Sequence, residues 1–477
     1  MSKYPAKTHA RNTLSYYRSL AAAAAAAANA TGTSSSSEKP LFALTAPSLT
    51  LYPHCDQSQP FRQDRYFNYL TGAHDLPAAA VLYNSAADRL TLYLPPIDAD
   101  DVMWSGLPLS PTQAQEKYDM DVVKYHADLA ADVASTNVLT IDDRNKSVLE
   151  SLLSSSNVTI SPTFKEALEE ARLRKDEFEL ALMRKASAIS DVSHRAVMSA
   201  LPIETNEGHI HAEFVYHSMR QGSKFQSYDP ICCSGTDCGT LHYVRNDQEM
   251  ADKQLVLIDA GAEWQCYASD VTRVFPITGE WTPEALAIYK AVLDMQTQSM
   301  EGVKPGVKWD DLHLLSHRIL IKHFLELGIF KNTKSPEEIL EARTSVGFLP
   351  HGLGHLLGMD THDVAGHPNY EDPDPMFRYL RLRRPLEPGF VVTVEPGIYF
   401  NKFLLEPYLK DPKHLEIINT EVLEKYWAVG GVRLEDDVLV TETGFENFTK
   451  VTTDPEEVAR IVKEGIAKGR SHFHVLA

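Results

Sequence analysis

Residues 255–270, LVLIDAGAEWQCYASD, constrain the fold of this chain more than any other stretch. An apolar strand-like run, Leu255 to Ile258, ends on Asp259. Eleven positions later Asp270 joins a second such run, Val271-Thr272-Arg273-Val274-Phe275. Gly261 and the polar residues after it predict a turn between two antiparallel strands. A hairpin of that kind brings the two Asp side chains together. Two carboxylates held close without a cation repel, and one pKa rises. A divalent metal is the usual reason for such a pair.

Three later segments carry what a metal site still lacks: His351-Gly-Leu-Gly-His355; Glu395, after the apolar run Val391 to Val394 and before Pro396-Gly397; and Glu435, in the word GGVRLEDD. With Asp259 and Asp270 they make four carboxylates and one imidazole, each at a strand end or in a Gly-bounded loop. An oxygen-rich set with one His suits Mn²⁺ or a similar ion, and thiolate-preferring metals fit it poorly. For Glu435, Asp436 and Asp437 the plain alternative is an acidic loop, and only the register of GGVR-x-E selects Glu435.

Asp259, Asp270, His355, Glu395 and Glu435 match, in type and order, the five ligands of the creatinase/aminopeptidase P/prolidase family of two-metal peptidases. The chain resembles that family in the words HGLGH, TVEPGIYF and GGVRLEDD, and in the N-terminal word from Phe61 to Gly72. The resemblance implies an α/β (α+β) fold: a pita-bread catalytic domain, a curved antiparallel sheet backed by helices, plus a smaller mixed α/β N-terminal domain. It implies two Mn²⁺ ions per subunit, with Asp270 and Glu435 bridging, Asp259 on one ion, and His355 and Glu395 completing the other. It also implies that Glu395 acts as general base and acid. His242 and His362 resemble the pair that flanks the scissile carbonyl, and His351 a substrate-site histidine. Arg433 resembles an arginine that orients site carboxylates, and Arg381 one that meets a dipeptide's C-terminal carboxylate. Tyr228 and Tyr399 are expected to line the site. A lone His among nineteen is by default structural or exposed, and Arg381 sits in the basic run Arg381-Leu382-Arg383-Arg384, which also reads as a solvated face.

The activity expected from the resemblance is an Xaa-Pro aminopeptidase, acting on proline-containing peptides. The alternative, towards which Arg381 points, is a prolidase restricted to dipeptides. Methionine aminopeptidases share the ligands but lack the large N-terminal domain. A non-catalytic relative would have lost ligands. The resemblance also implies a homodimer.

Composition narrows the rest. At 477 residues the chain has room for two or three domains. A net charge of −19 argues against nucleic acid or an anionic membrane as partner. The Ala tract is too weakly hydrophobic for a membrane span. Five cysteines do not make a disulfide framework, so a reducing, cytoplasmic setting is expected; Cys232, Cys233 and Cys238 read as buried thiols. Residues 1–37 contain no acidic residue and run from basic positions through eight alanines into a Thr/Gly/Ser tract. That also describes a mitochondrial transit peptide. The preferred reading is a first helix with an Ala/Ser-rich low-complexity insertion at about 20–38.

The expected domains are 1–165 and 166–477. In the first, strands are predicted at Leu49–Tyr52, Ala80–Tyr83 and Leu90–Leu94, and the word from Phe61 to Gly72 reads as packing. One long helix is predicted over Pro162–Met198, its charges pairing at helical spacing. Thr282, Pro283, Gly302 and Pro305 bound a further helix, with Ala285, Ile288, Tyr289, Val292 and Met295 as its apolar stripe. Others are expected over Asp310–Leu327 and 455–470. His313, His317, His323, His472 and His474 read as structural or exposed.

Overall fold

The computed structural model describes residues 3–27, 39–155, 157–200 and 204–468. The Ser-rich half of the low-complexity tract and both His472 and His474 lie outside the described residues. The chain folds as two compact units, Met1–Leu173 and Arg174–Ala477.

The first unit is a six-stranded mixed sheet. Its strands are β1 (Leu41–Thr45), β2 (Ala80–Asn84), β3 (Arg89–Leu94), β4 (Val122–Tyr125), β5 (Val138–Thr140) and β6 (Val158–Ile160), in the order β4-β3-β2-β1-β5-β6. The central strand is Leu41–Thr45, not the predicted Leu49–Tyr52, which makes only a bridge from Leu51 to Ser58. Leu49, Leu51 and Tyr52 have β-forming side chains but stay exposed, so no sheet face rewards their ordering. Phe42 of β1 stacks on Phe164 at 4.1 Å, with Tyr17 edge-on at 5.1 Å, and this pins helices Ala6–Ala27 and Pro162–Leu173 to the sheet. The Phe61–Gly72 word supplies a short helix, Arg65–Thr71, capped by Asp64, with Phe67, Tyr69 and Leu70 buried.

The predicted single helix from Pro162 to Met198 is two, Pro162–Leu173 and Glu177–Ala200. The charged run between them holds a cap: Asp176 Oδ1 accepts the Phe178 and Glu179 N–H groups at 2.9 Å each. An Asp that satisfies the free amides of a new first turn starts a helix more readily than it continues one.

The second unit contains β7 (Phe225–Gln226), β8 (Ile231–Ser234), β9 (Leu255–Asp259), β10 (Ala262–Trp264), β11 (Tyr267–Ala268), β12 (Thr272–Pro276), β13 (Val391–Val394), β14 (Gly397–Tyr399), β15 (Gly431–Arg433), β16 (Asp436–Val440) and β17 (Phe445–Asn447). The antiparallel ladders β12-β9-β8, β14-β15 and β13-β16-β17 form the sheet, joined where Thr272 bridges to Glu435. Leu255 and Leu257 of β9 pack against helices Pro283–Glu301 and Trp309–Glu326. Val256 and Ile258 face the other way, towards Val197, Phe214 and helix Pro455–Lys468. Burial on both faces explains why β9 reads as an unbroken apolar run. Helix Pro283–Glu301 begins at Thr282, whose hydroxyl accepts the Ala285 N–H, and its predicted stripe is fully buried.

The hairpin is longer than predicted. Between β9 and β12 the chain makes a second, smaller hairpin, β10–β11, which turns at Gln265 and Cys266 with φ of 49° and 69°. Gly261 is needed for another reason: a Cβ there would lie 1.8 Å from the Ser269 carbonyl oxygen. Only glycine lets the two carboxylate-bearing stretches approach so closely.

Two core histidines make this unit acid-sensitive. His194 bonds the Ala260 carbonyl at 2.9 Å and His313 the Met376 carbonyl at 2.7 Å. Burial lowers each to about 4, below the unfolded value near 6.5. The unfolded chain therefore binds these protons first, and stability present above pH 6.5 is lost as pH falls towards 4. The loss at pH 5 is about 2 kcal/mol per histidine. We expect the drop in denaturant-measured stability from pH 7 to pH 5 to be smaller by about that amount in His194→Gln. An unchanged drop would refute this.

Candidate active site

The sheet's registers converge the acidic residues. Asp259 ends β9 and lies opposite Thr272 of β12, two residues beyond Asp270. Glu435 sits between β15 and β16, held by the Glu435 N–H donating to the Thr272 carbonyl at 3.2 Å. His355 is on an irregular segment against β13, where its N–H donates to Thr393 Oγ1 at 3.1 Å and its carbonyl accepts the Thr393 N–H at 2.9 Å. A Cβ on Gly354 would lie 2.0 Å from the Thr393 carbonyl oxygen, so HGLGH carries its glycine for close approach. Glu395 follows β13, its N–H donating to the Leu353 carbonyl at 2.8 Å.

All five predicted ligands therefore meet. Ligand atoms of Asp270, His355 and Glu435 lie within 4.8 Å of one another. His355 Nε2 is 3.4 Å from both Asp270 Oδ2 and Glu395 Oε1. Its Nδ1 is 2.9 Å from the Leu356 carbonyl, which fixes the proton there and leaves the Nε2 lone pair aimed at the carboxylates. Asp259, Asp270, His355 and Glu435 are all buried.

The electrostatics demand a cation. Burial, then Asp259 and Glu395, push Asp270 well above the carboxylate range. Burial, then Asp270 and Asp259, do the same to Glu435, and burial and Glu435 to Glu395. Burial lowers His355 to about 4, so its ring is neutral and free to ligate. Three destabilised carboxylates around a neutral imidazole fit a divalent metal, which reverses their mutual repulsion.

The surrounding residues form a connected network. Tyr228 donates to Asp259 Oδ1 at 2.5 Å and also to Asp270. Arg433 Nη2 donates to Asp259 Oδ2 at 2.6 Å and Nη1 to the Tyr399 hydroxyl at 3.0 Å. His351 Nε2 is 2.8 Å from that same hydroxyl, and burial lowers His351 to about 3. His362 packs edge-on against His355 at 4.5 Å and is lowered, by burial and by His355, to about 3. His242 sits on an exposed loop, and Arg381 bonds the Tyr370 hydroxyl at 3.3 Å. His242, His351, His362, Arg381 and Tyr228 line one cavity of about 780 Å³ with the five carboxylate and imidazole residues; Tyr399 stands behind it.

Several residues were not singled out from sequence. Thr272 Oγ1 donates to Glu435 Oε2 at 2.6 Å. Asp437 accepts the Asp270 N–H at 3.0 Å and the Ser187 hydroxyl, and Asp436 pairs with buried Arg273 at 2.7 Å. GGVRLEDD thus runs from β15 into β16, and its second and third acids are both engaged. Asp229 also lines the cavity. Its only sequence signal was adjacency to Tyr228. All five cysteines are free, and Cys232, Cys233 and Cys238 are buried.

Known proteins resemble this chain in sequence and in fold. Residues 181–442 match the model of metallopeptidase family M24, and residues 26–139 that of the aminopeptidase P N-terminal domain. A probable Xaa-Pro aminopeptidase of Botryotinia fuckeliana is 48% identical, covering 97% of each chain. An uncharacterized peptidase of Saccharomyces cerevisiae is 53% identical over 89% of this chain and 79% of its own. Aminopeptidase P from E. coli, solved with the inhibitor Pro-Leu, superposes with a TM-score of 0.77 at 27% identity, covering 97% of this chain and 99% of its own. Pseudomonas aeruginosa aminopeptidase PepP gives 0.77 at 27%, covering 98% and 100%.

Proposed function

The chain belongs to metallopeptidase family M24, and on that premise we propose how its residues work as an Xaa-Pro aminopeptidase, releasing the first residue of peptides with proline second. The observation that carries the reading is the convergence of Asp259, Asp270, His355, Glu395 and Glu435 at one end of the cavity. These five would hold two divalent ions, Mn²⁺ by the oxygen-rich donor set. The ions, when bound, activate water and polarise the scissile carbonyl.

The protein's own groups do the rest. Glu395, the least buried of the five, takes a proton at its carboxylate and delivers it to the leaving proline nitrogen. His362 and His242 donate to the developing oxyanion from the cavity wall. Arg433 and Tyr399 hold Asp259 and His351 in place. Tyr228 orients both aspartates. We assign the unit Met1–Leu173 to the N-terminal domain and Arg174–Ala477 to the catalytic one, a boundary eight residues beyond the expected 165.

Arg381 favours a second reading. A guanidinium on the cavity wall suits the C-terminal carboxylate of a dipeptide, which would make the enzyme a prolidase. Five free cysteines support a cytoplasmic setting, the charge of −19 argues against nucleic acid, and among the described residues no helix is long and apolar enough to cross a membrane. A homodimer follows from the family reading and is checked by light scattering.

The deciding experiment uses metal-stripped protein with and without Mn²⁺. Cleavage of Xaa-Pro-Yaa that depends on Mn²⁺, with a proline-free control untouched, is the expected result. Cleavage of the Xaa-Pro dipeptide alone would establish the prolidase. Metal binding without cleavage of either would overturn both.

A further inference from the structure

Seven charged side chains line the cavity: the four proposed ligand carboxylates, Arg433, Arg381 and Asp229. Arg433 is committed to Asp259 at 2.6 Å. That leaves one cation, Arg381, and one anion, Asp229, to meet substrate. Each neighbours the metal-binding end through different residues. Arg381 is close enough to His355, His362 and Glu395 for its charge to lower all three. Asp229 adjoins Tyr228, whose hydroxyl reaches Asp259 and Asp270. It stands two residues before Ile231, which lies opposite Asp259 in the β8–β9 ladder. Two extended residues span at most about 7 Å, so Asp229 is a near neighbour of the metal-binding end. The ligand carboxylates at that end are buried, whereas Asp229 is exposed at the rim.

Among the described residues the Asp229 carboxylate makes no hydrogen bond or ion pair, and the titratable group whose charge balance it affects is His211. Burial holds His211 below its ordinary value despite Asp229. The aspartate is an uncompensated anion facing the space a peptide enters.

A peptide presents two kinds of cation. Its α-ammonium is attached one carbon from the scissile carbonyl and must stay deep, beside the buried carboxylates. A cation at the rim has to stand at the end of a long side chain on that same N-terminal residue. We propose that Asp229 is a specificity-determining residue that selects lysine or arginine as the residue released. This rests on the Xaa-Pro aminopeptidase reading.

The test compares kcat/KM for Arg-Pro-Yaa and citrulline-Pro-Yaa, which differ by one charge at nearly constant shape. The Mn²⁺-loaded parent is expected to prefer arginine about 1.5–5-fold, the range of an exposed ion pair. The preference should shrink in higher salt, fall to about one in Asp229→Asn, and return in part in Asp229→Glu. Equal rates on the two peptides in the parent would overturn the proposal while leaving the aminopeptidase reading intact. So would an equal loss on both peptides in Asp229→Asn, which would assign the residue to the α-ammonium or to the fold. Cleavage of neither peptide by the parent would overturn the aminopeptidase reading, and this inference with it.

Discussion

Glu395→Gln is expected to lower turnover of an Xaa-Pro-Yaa peptide by about 10²–10⁴-fold, the usual yield of a positioned acid–base group. Glu395 Oε1 is 3.4 Å from His355 Nε2 and accepts from Thr393 Oγ1 at 3.3 Å, and its Oε2 is 3.9 Å from His351 Nδ1. Glutamine keeps the shape and the Thr393 bond, so the fold should hold. What it loses is a site that can accept and release a proton, together with one negative charge. Burial and Glu435 push the free carboxyl upward, and the pKa that matters is therefore the one set with metal present. Parent-like rates in this variant, with metal content unchanged, would remove Glu395 from the chemistry.

Arg273→Leu is expected to have the largest effect on stability, about 3–5 kcal/mol in denaturant unfolding. The Arg273 side chain is buried. Its Nη2 pairs with Asp436 Oδ1 at 2.7 Å and with the Val451 carbonyl at 2.7 Å. Its Nη1 donates to the carbonyls of Thr272 and Glu435 at 2.9 Å each. Leucine removes all of these and strands Asp436, which retains only Asn447 Nδ2 at 2.6 Å. Removing one partner of a buried pair costs more than removing both. Arg273→Leu with Asp436→Leu should accordingly lose less than the two single changes added together. Strict additivity would show that the pair is not coupled. Because Arg273 also holds the Glu435 carbonyl, metal affinity should fall alongside stability.

Much of the site was legible because its ligands sit in words with their own local logic. The apolar runs before Asp259 and Glu395 each predicted a short strand with a carboxylate at its end, and each has one, while the glycines of HGLGH predicted a loop, which holds His355. The long helix Pro283–Glu301 was equally legible, since a Thr cap, a first-turn Pro and an apolar period act within a few residues of one another. The misreadings have the opposite character. Leu49–Tyr52 has strand-forming residues, but Leu41–Thr45 holds the buried central position. The run from Arg174 to Glu179 has helical charge spacing, but Asp176 uses its carboxylate as a cap. In both cases a local preference met a competing use that only the folded surroundings define.

By itself, then, the sequence offered five candidate ligands in order and the strand or loop that carries each. The elements follow from side-chain chemistry and short-range periodicity, and the choice of these five follows from the family resemblance. Only the tertiary structure decided that Thr272 faces Glu435, that Asp437 holds the Asp270 amide, that Arg273 is buried against Asp436, and that Asp229 stands unpaired on the cavity wall. Ser187 and Asp437 are 250 positions apart and Arg273 and Asp436 are 163. No local pattern couples residues so distant, and the worth of a charge depends on the neighbours and solvent that the fold assigns to it.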